Sequence, residues 1–389
     1  MNHALDLSRC RVLIVDDNAF NRKTLAMLIS RAGVGEVEFA GDGEEGLRKV
    51  ERFLPDLVLL DVEMPRMDGL EMCRRLREIP QFAALPVLFQ TILDSEDEQV
   101  RCFAAGGNDY ITKPIRAGEC VARVRQQLEK RLLFKDLTAF RERLNGELRS
   151  ARDMQMSLLP EPALVTKLGA RYGVAVRSHF ETSSELGGDF WQLYPLDDRR
   201  FGVLIADFAG HGITAAINTF RLHTLIDRVD ADRARPAEWL AALGAALKGV
   251  LPVGQFATAF YGVIDLDQNA MTYAGAGAPP PVLALRGEEP VALDSTGLVL
   301  GVSRSGFYHE RRAAFPPGAR LFLYSDALTE TVDEGGRALG LNAVPALVDL
   351  AQRANPADPL AALLQEFFAC RRRPLRDDLT AVWIERLPD

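Results

Sequence analysis

Five short runs spaced through the first 115 residues constrain this chain more than any other feature. They are RVLIV (11–15), EVEFA (36–40), DLVLL (56–60), PVLFQ (86–90) and DYIT (109–112). Each reads as a continuous strand covered on both faces rather than one alternating between core and solvent. The stretches 18–32, 43–53, 68–78, 95–105 and 117 onward have helical spacing, with Leu25, Leu28 and Ile29 recurring at i, i+3 and i+4. Such alternation predicts an α/β doubly wound, five-stranded parallel sheet with helices on both faces. Ligands of these sheets bind beyond the carboxyl ends of the strands. Asp16 and Asp17, Asp61, Thr91 and Lys113 all stand at those ends, so one edge gathers five polar groups.

Three carboxylates held together repel one another unless a hard cation sits between them. Mg²⁺ suits that place, because it takes oxygen ligands and keeps several waters. A carboxylate facing a cation, a hydroxyl and an ammonium is placed to accept a phosphoryl group, whose oxygens Thr91 and Lys113 would stabilise. A single aspartate at a strand end is more often a helix cap. Polar groups at successive strand ends make the stronger pattern.

With 389 residues, the chain is long enough for two or three domains at roughly 100–200 residues each. Its net charge of −8 divides into −6 for residues 1–115, +4 for 116–153 and −6 for 154–389. Two acidic bodies joined by a basic connector suggest boundaries at 1–117, 118–159 and 160–389. The connector has no Pro, and Gly146 is its interior Gly. Phe134, Leu137, Leu144, Leu148, Ala151 and Leu158 fit an a/d seam that Arg141 and Gln155 interrupt. That seam favours a short parallel coiled coil that makes a homodimer of the chain, ahead of the alternative of one helix laying a stripe on a neighbouring domain. Pro160 and Pro162 are expected to close the helix.

Beyond residue 165 the runs FGVLIADF (201–208), ATAFYGVIDL (257–266), AMTYAGAG (270–277), RLFLYSD (320–326) and LTAVWIE (379–385) read as strands. Helical stretches lie at 213–228, 236–250, 342–354 and 356–372. This mixture predicts an α+β domain, an antiparallel β-sandwich flanked by helices. It contains no P-loop, no G-x-G-x-x-G and no Ser–His–Asp spacing. It carries instead Asp189, Asp207, Asp326 and the pair Asp377–Asp378, mostly beside strand-like runs. Four such patches with few basic partners point to two divalent cations, Mg²⁺ or Mn²⁺, able to support in-line phosphoryl displacement.

Composition excludes other classes. An acidic chain lacks the basic footprint of a nucleic-acid binder. No apolar run approaches the ~18 residues of a membrane helix, and the first residues lack the apolar core of a signal peptide. Five scattered cysteines without C-x-x-C argue against disulfides or a zinc knuckle and for a reducing, cytoplasmic setting.

The motifs VLIVDDN (12–18), LLDVEMPRMDG (59–69), QT (90–91) and DYITKP (109–114) make residues 9–130 resemble the receiver domain of bacterial response regulators. The resemblance implies Asp61 as phosphoacceptor and Asp16 and Asp17 as the metal pair, with the main-chain carbonyl of Glu63 completing the Mg²⁺ set. Thr91 and Lys113 would be the switch hydroxyl and invariant lysine, and Tyr110 the aromatic that reports phosphorylation. A histidine kinase would be the partner. Lys113–Pro114 matches a step that is often cis in this family.

ARDMQMSLLP (151–160), LGGDFWQL, ADFAGHG, QFATAFYGVID, STGLVLGV, LFLYSDALTE and DDLT make residues 151–387 resemble the PPM-type (type 2C) serine/threonine phosphatases. The nearest branch acts on anti-sigma-factor antagonists. Asp189 would bridge two metals, joined by Asp207 and the carbonyl of Phe208 at one and by Asp326 and Asp377 at the other. Asp378 is the alternative to Asp377, and His211 a weaker candidate general acid. Where the family has N-A-G-H-P-P this chain has Gly275-Ala276-Gly277-Ala278-Pro279-Pro280, and Ala327 follows Asp326 where Gly is usual. The implied function is a phosphatase under receiver control, releasing a sigma factor through partner switching. A non-catalytic, phosphorylation-gated adaptor is the alternative. Retention of all four acidic positions favours the enzyme.

Overall fold

The computed structural model describes residues 6–92, 96–210, 212–333, 335–371 and 375–388. It divides into two compact units, residues 1–144 and 145–389.

In the first unit β1 (Arg11–Val15), β2 (Glu36–Ala40), β3 (Leu57–Asp61), β4 (Val87–Thr91) and β5 (Asp109–Thr112) form a parallel sheet in the order β2-β1-β3-β4-β5. They alternate with α1 (Ala19–Arg31), α2 (Gly43–Phe53), α3 (Gly69–Glu78), α4 (Glu96–Ala104) and α5 (Ala117–Met156). The doubly wound reading therefore holds. Successive strand residues enter opposite faces. Leu13, Val15, Val58, Leu60, Val87 and Phe89 pack against α2 and α3, whereas Val12, Ile14, Leu57, Leu59, Leu88 and Ile111 pack against α1 and α5. Asn18, Asp42 and Asp68 cap α1, α2 and α3 by accepting backbone amides, which satisfies orphan donors at each helix start.

The second unit opens with α6 (Pro162–Tyr172), followed by β6 (Val174–Glu181), β7 (Asp189–Pro195), β8 (Arg200–Phe208), α7 (Ile213–Ile226) and α8 (Pro236–Val250). Then come β9 (Ala257–Asp265), β10 (Ala270–Ala276), β11 (Val282–Ala284), β12 (Val291–Ala292), β13 (Arg311–Ala314) and β14 (Arg320–Tyr324). The unit closes with α9 (Ala327–Glu330), α10 (Val344–Ala354), α11 (Pro359–Cys370) and β15 (Leu379–Arg386). Two antiparallel five-stranded sheets result, β13-β10-β9-β8-β7 and β12-β11-β14-β15-β6. Trp191, Val203 and Phe260 of one meet Leu321, Leu323 and Val382 of the other in a shared core. The outer face of the first sheet packs on α7 and α8, and that of the second on α9, α10 and α11. The sandwich is therefore flanked by helices on both sides.

The helix through the connector differs from expectation at its end. α5 stops at Met156, before either proline, and Pro162 opens α6 instead, where a missing amide is tolerated in the first turn. Leu158 consequently lies beyond the helix and packs beside Phe190 and Leu204. Residues 133–147 of α5 are all exposed.

One glycine is set by a close approach that positions the first polar cluster. A Cβ added to Gly69, the first residue of α3, would fall 2.0 Å from the carbonyl oxygen of Asp61. Backbone cannot give way as a side-chain tip can. Gly69→Ala is expected to destabilise the first unit by about 1–3 kcal/mol. Thermal melting checks it, and an unchanged midpoint contradicts the packing described.

Candidate functional site

Two separate clusters of carboxylates stand at sheet ends, one in each unit. In the first, Asp16, Asp17 and Asp61 bring ligand oxygens within 4.8 Å of one another. Lys113 Nζ donates to Asp61 Oδ2 at 2.6 Å and lies 3.6 Å from Asp16 Oδ2. Asn21 Nδ2 donates to both Asp16 oxygens, and Arg22 donates to the carbonyls of Asp16 and Asp17, tying the acidic loop to α1. Burial pushes the Asp61 carboxyl above its ordinary value; Asp16 and Asp17 add to the rise and Lys113 opposes it. A cavity of about 640 Å³ above these groups is lined by Asp17, Asp61, Glu63, Thr91 and Lys113 among others. Thr91 is buried at the end of β4, and the Lys113–Pro114 peptide bond is cis. Tyr110 sits apart from the cavity lining, half-buried, edge-on to Phe103 and beneath the Arg123 guanidinium.

In the second cluster the antiparallel register places Asp189 of β7 directly opposite Asp207 of β8. Asp326 follows β14 and Asp377–Asp378 precede β15, its hydrogen-bonded neighbour. The two sheets are tied at this edge. Thr380 Oγ1 donates to Asp189 Oδ2 at 2.5 Å, and Ser325 Oγ donates to the carbonyl of Asp378 at 2.9 Å. Asp189 is buried, and its Oδ1 has no partner among the described residues. Burial raises Asp207 well above the ordinary carboxylate range, with Asp189, Asp326 and Asp377 adding to it. Asp189 rises likewise, chiefly through burial. Asp326 is pushed to about 6 by burial and then by the Asp377 and Glu330 carboxylates.

An orphaned buried oxygen among mutually repelling carboxylates fits a divalent cation. Asp326 also makes no capping bond to α9, although it precedes that helix. The carbonyl oxygen of Phe208 stands 2.9 Å from where a Cβ on Gly188 would lie, so only glycine lets the LGGD loop press this close.

The neighbouring aspartates 377 and 378 differ sharply. Asp378 is buried, and both its oxygens are committed: Oδ1 accepts from the Ser183 amide and hydroxyl, Oδ2 from the Gly188 amide at 2.6 Å. It holds the loop that leads into Asp189. Asp377 is half-buried and raises both Asp207 and Asp326 through its charge. His211 lies outside the described residues. At the departures from the family pattern, a Cβ on Gly275 would fall 2.1 Å from the Ser295 carbonyl oxygen. Ala278 is buried in the core between the sheets.

Sequence reasoning missed one residue of consequence. Gln155, which only seemed to interrupt an apolar seam, is buried near the end of α5. Its Nε2 donates to the Gly187 carbonyl at 2.5 Å, and its Oε1 accepts the Gly187 amide at 3.1 Å. Position 155 within ARDMQMSLLP was its signal in the sequence. Thr380, which bridges the sheets, and Ser325, which ties the ends of β14 and β15, stood within quoted motifs without a role.

With this geometry in view, comparison with known proteins gives two matches. The model for the response regulator receiver domain matches residues 12–125, and that for stage II sporulation protein E (SpoIIE) matches residues 197–387. This chain joins a response regulator receiver domain to a SpoIIE-family domain of PP2C fold. The response regulator MprA of Mycobacterium leprae is 44% identical over 120 residues, covering 31% of this chain and 51% of that protein. The MprA of Mycobacterium ulcerans is 42% identical over 129 residues, covering 33% and 54%. The chain thus spans about half the length of the curated relatives it matches. The SiaA PP2C domain of Pseudomonas aeruginosa is 22% identical, with a TM-score of 0.57, covering 64% of this chain and 98% of that one. It shows the fold of the SpoIIE-family domain.

The contrast between the two aspartates generates a paired expectation. Asp378→Asn sets an amide donor against a backbone donor and should lower stability by about 1–3 kcal/mol. On the reading proposed below, in which Asp377 helps hold a cation, Asp377→Asn should raise the Mn²⁺ concentration that shifts the melting midpoint. Melting curves with and without Mn²⁺ check both; an exchange of the two phenotypes contradicts the roles read from the hydrogen bonds.

Proposed function

We propose that phosphorylation of Asp61 controls a metal-dependent protein serine/threonine phosphatase in the SpoIIE-family domain. A histidine kinase would supply the phosphoryl group, and a phosphorylated anti-sigma-factor antagonist would be the substrate, so that dephosphorylation frees a sigma factor in the cytoplasm. One observation carries the reading: the first unit gathers Asp16, Asp17 and Asp61 within 4.8 Å of one another, and the second gathers Asp189, Asp326 and Asp377 close enough for each to raise Asp207. α5 runs from beside Lys113 to Gln155 at the second.

At the first site an Asp61 oxygen attacks phosphorus as the donor's P–N bond breaks, leaving an acyl phosphate. Lys113, already paired with Asp61, would shift to the added oxygens, and Thr91 would donate to one of them. Mg²⁺ would be held by Asp16, Asp17, Asp61 and the Glu63 carbonyl. At the second site Asp189, Asp207, the Phe208 carbonyl, Asp326 and Asp377 would hold two Mg²⁺ or Mn²⁺. Such ions supply an activated water and neutralise the phosphoryl oxygens during in-line displacement. Water adds to phosphorus, the P–O bond to the seryl or threonyl oxygen breaks, and that oxygen takes a proton. Asp378, Thr380 and Ser325 act as positioning residues, fixing the Asp189 loop and its carboxylate.

The connector, residues 118–159, would transmit the state of the receiver. Its exposed Phe134, Leu137 and Leu144 fit a parallel seam with a second copy of the chain, making a homodimer whose register the receiver sets. Gln155 would carry a shift of α5 into the Gly187–Asp189 loop. No helix among the described residues is long and apolar enough to cross a membrane.

Asp326→Asn is expected to lower Mn²⁺- or Mg²⁺-dependent hydrolysis of a phosphoserine protein by at least about a hundredfold, the scale of losing one charge-stabilising group. Retained hydrolysis contradicts the assignment and favours an adaptor. Asp61→Ala should leave hydrolysis indifferent to a small phosphodonor such as phosphoramidate, in the same assay. A response that persists would place the switch elsewhere.

A further inference from the structure

We infer that Lys135 and Asp56 form a latch that fixes the outgoing helix to the receiver at its point of departure, and that this latch is required for phosphorylation to reach the second domain. The coupling half of the inference rests on the function proposed above. The latch itself rests on contacts within the first unit.

α5 packs on the receiver sheet through Cys120, Val124 and Leu128, all buried against Val12, Ile14 and Leu59, with Leu132 partly buried behind them. This stripe recurs every four residues and ends there. Residues 133–147 are exposed, and one of them reaches back. The Lys135 ammonium donates to Asp56 Oδ1, forming a close ion pair. Asp56 is buried, with its side chain 7% exposed against 48% for Lys135. Its other oxygen accepts the Arg11 amide at 3.0 Å, and its own amide donates to the Arg11 carbonyl at 2.7 Å. One turn earlier Arg131 donates to the Ala84 carbonyl at 3.4 Å.

A carboxylate held this deep is costly without a cation, so Asp56 favours the one arrangement of α5 that brings Lys135 to it. The position matters as much as the strength. Asp56 immediately precedes β3, and Asp61 ends the same strand. At about 3.3 Å per residue the two lie roughly 16 Å apart along one buried strand. The strand that carries the phosphoacceptor at one end therefore presents the helix anchor at the other. A rotation of α5 about its axis moves residue 155 only if the helix is gripped where it leaves the receiver. The apolar stripe alone permits sliding between equivalent contacts, whereas a buried point charge does not.

The test uses the full chain in four forms: wild type, Lys135→Met, Lys135→Arg and Asp56→Asn. Three quantities are read. These are the extent of Asp61 phosphorylation by phosphoramidate, measured by intact mass, hydrolysis of a phosphoserine protein with and without phosphoramidate, and hydrogen exchange of amides 128–140. Lys135→Met is expected to phosphorylate and to hydrolyse basally as wild type does, within about twofold. Its ratio of stimulated to basal rate should fall to near unity, and exchange over 132–140 should accelerate. Lys135→Arg should restore both, and Asp56→Asn should resemble Lys135→Met. A wild-type rate ratio in Lys135→Met overturns the coupling role. Unchanged exchange in Lys135→Met overturns the latch. If wild type itself hydrolyses nothing, the phosphatase reading fails, and the exchange data still decide the latch.

Discussion

Repulsion among carboxylates gathered at strand ends is the constraint on which the rest of this structure depends. Each unit brings several acidic side chains to one edge of its sheet and then removes them partly from water. Burial raises Asp61, Asp189, Asp207 and Asp326, and in each case neighbouring aspartates add to the rise. Such clusters survive only where the surrounding fold over-determines them. In the receiver that support is Lys113, Asn21 and Arg22 around the acidic loop. In the SpoIIE-family domain it is a set of neutral donors, Thr380, Ser325, Ser183 and the Gly188 amide, which hold the carboxylates and their loops without neutralising them. Lys113 offsets part of the charge in the first cluster, whereas the hydrogen bonds to Asp189 and Asp378 in the second come from neutral groups, which is why the proposed function gives that cluster divalent cations.

The same contrast explains what was legible in the sequence. β1, β3 and β4 could be read because they are buried on both faces, so composition carries the signal alone; the edge strands β2 and β5 are only partly buried and were legible through their place in the strand–helix alternation. The strand ends then placed Asp16, Asp17, Asp61, Thr91 and Lys113 before any coordinates. The sandwich was read more coarsely. β6, with six of its eight residues only partly buried, and the short β11, β12 and β13 carry too little apolar periodicity to stand out. α6 was missed because Pro162 looked like a terminator when it is a first-turn residue. Asp377 and Asp378 are adjacent and chemically identical, so only the hydrogen bonds to Ser183 and Gly188 separate the loop anchor from the residue facing the cluster. Gln155 shows the limit of periodicity most clearly. A polar residue in an apolar seam reads as a defect until the Gly187 backbone is found paired to both ends of its amide.

These contacts give the connector a physical definition. Its basic charge and exposed apolar residues describe a helix with few ties over 136–147, bounded by Lys135 on the receiver side and Gln155 on the other. The +4 segment between two −6 bodies is therefore a helix held along the receiver as far as Lys135 near its midpoint and tied again at Gln155 just past the segment's end. Transmission along it needs no contact between those two points. On the proposed function it would need only that the helix be fixed in rotation at both grips, one an ion pair between half-exposed Lys135 and buried Asp56 and the other a two-point amide pairing.

The measurement that tests this account most directly is the initial rate of phosphate release from a phosphoserine protein by the intact chain in Mn²⁺, with and without phosphoramidate. The account predicts a rate abolished by chelation, altered severalfold by the phosphodonor in wild type and unaltered by it when Asp61 is replaced. A chelator-sensitive rate that ignores the phosphodonor, or no rate in either condition, would contradict it.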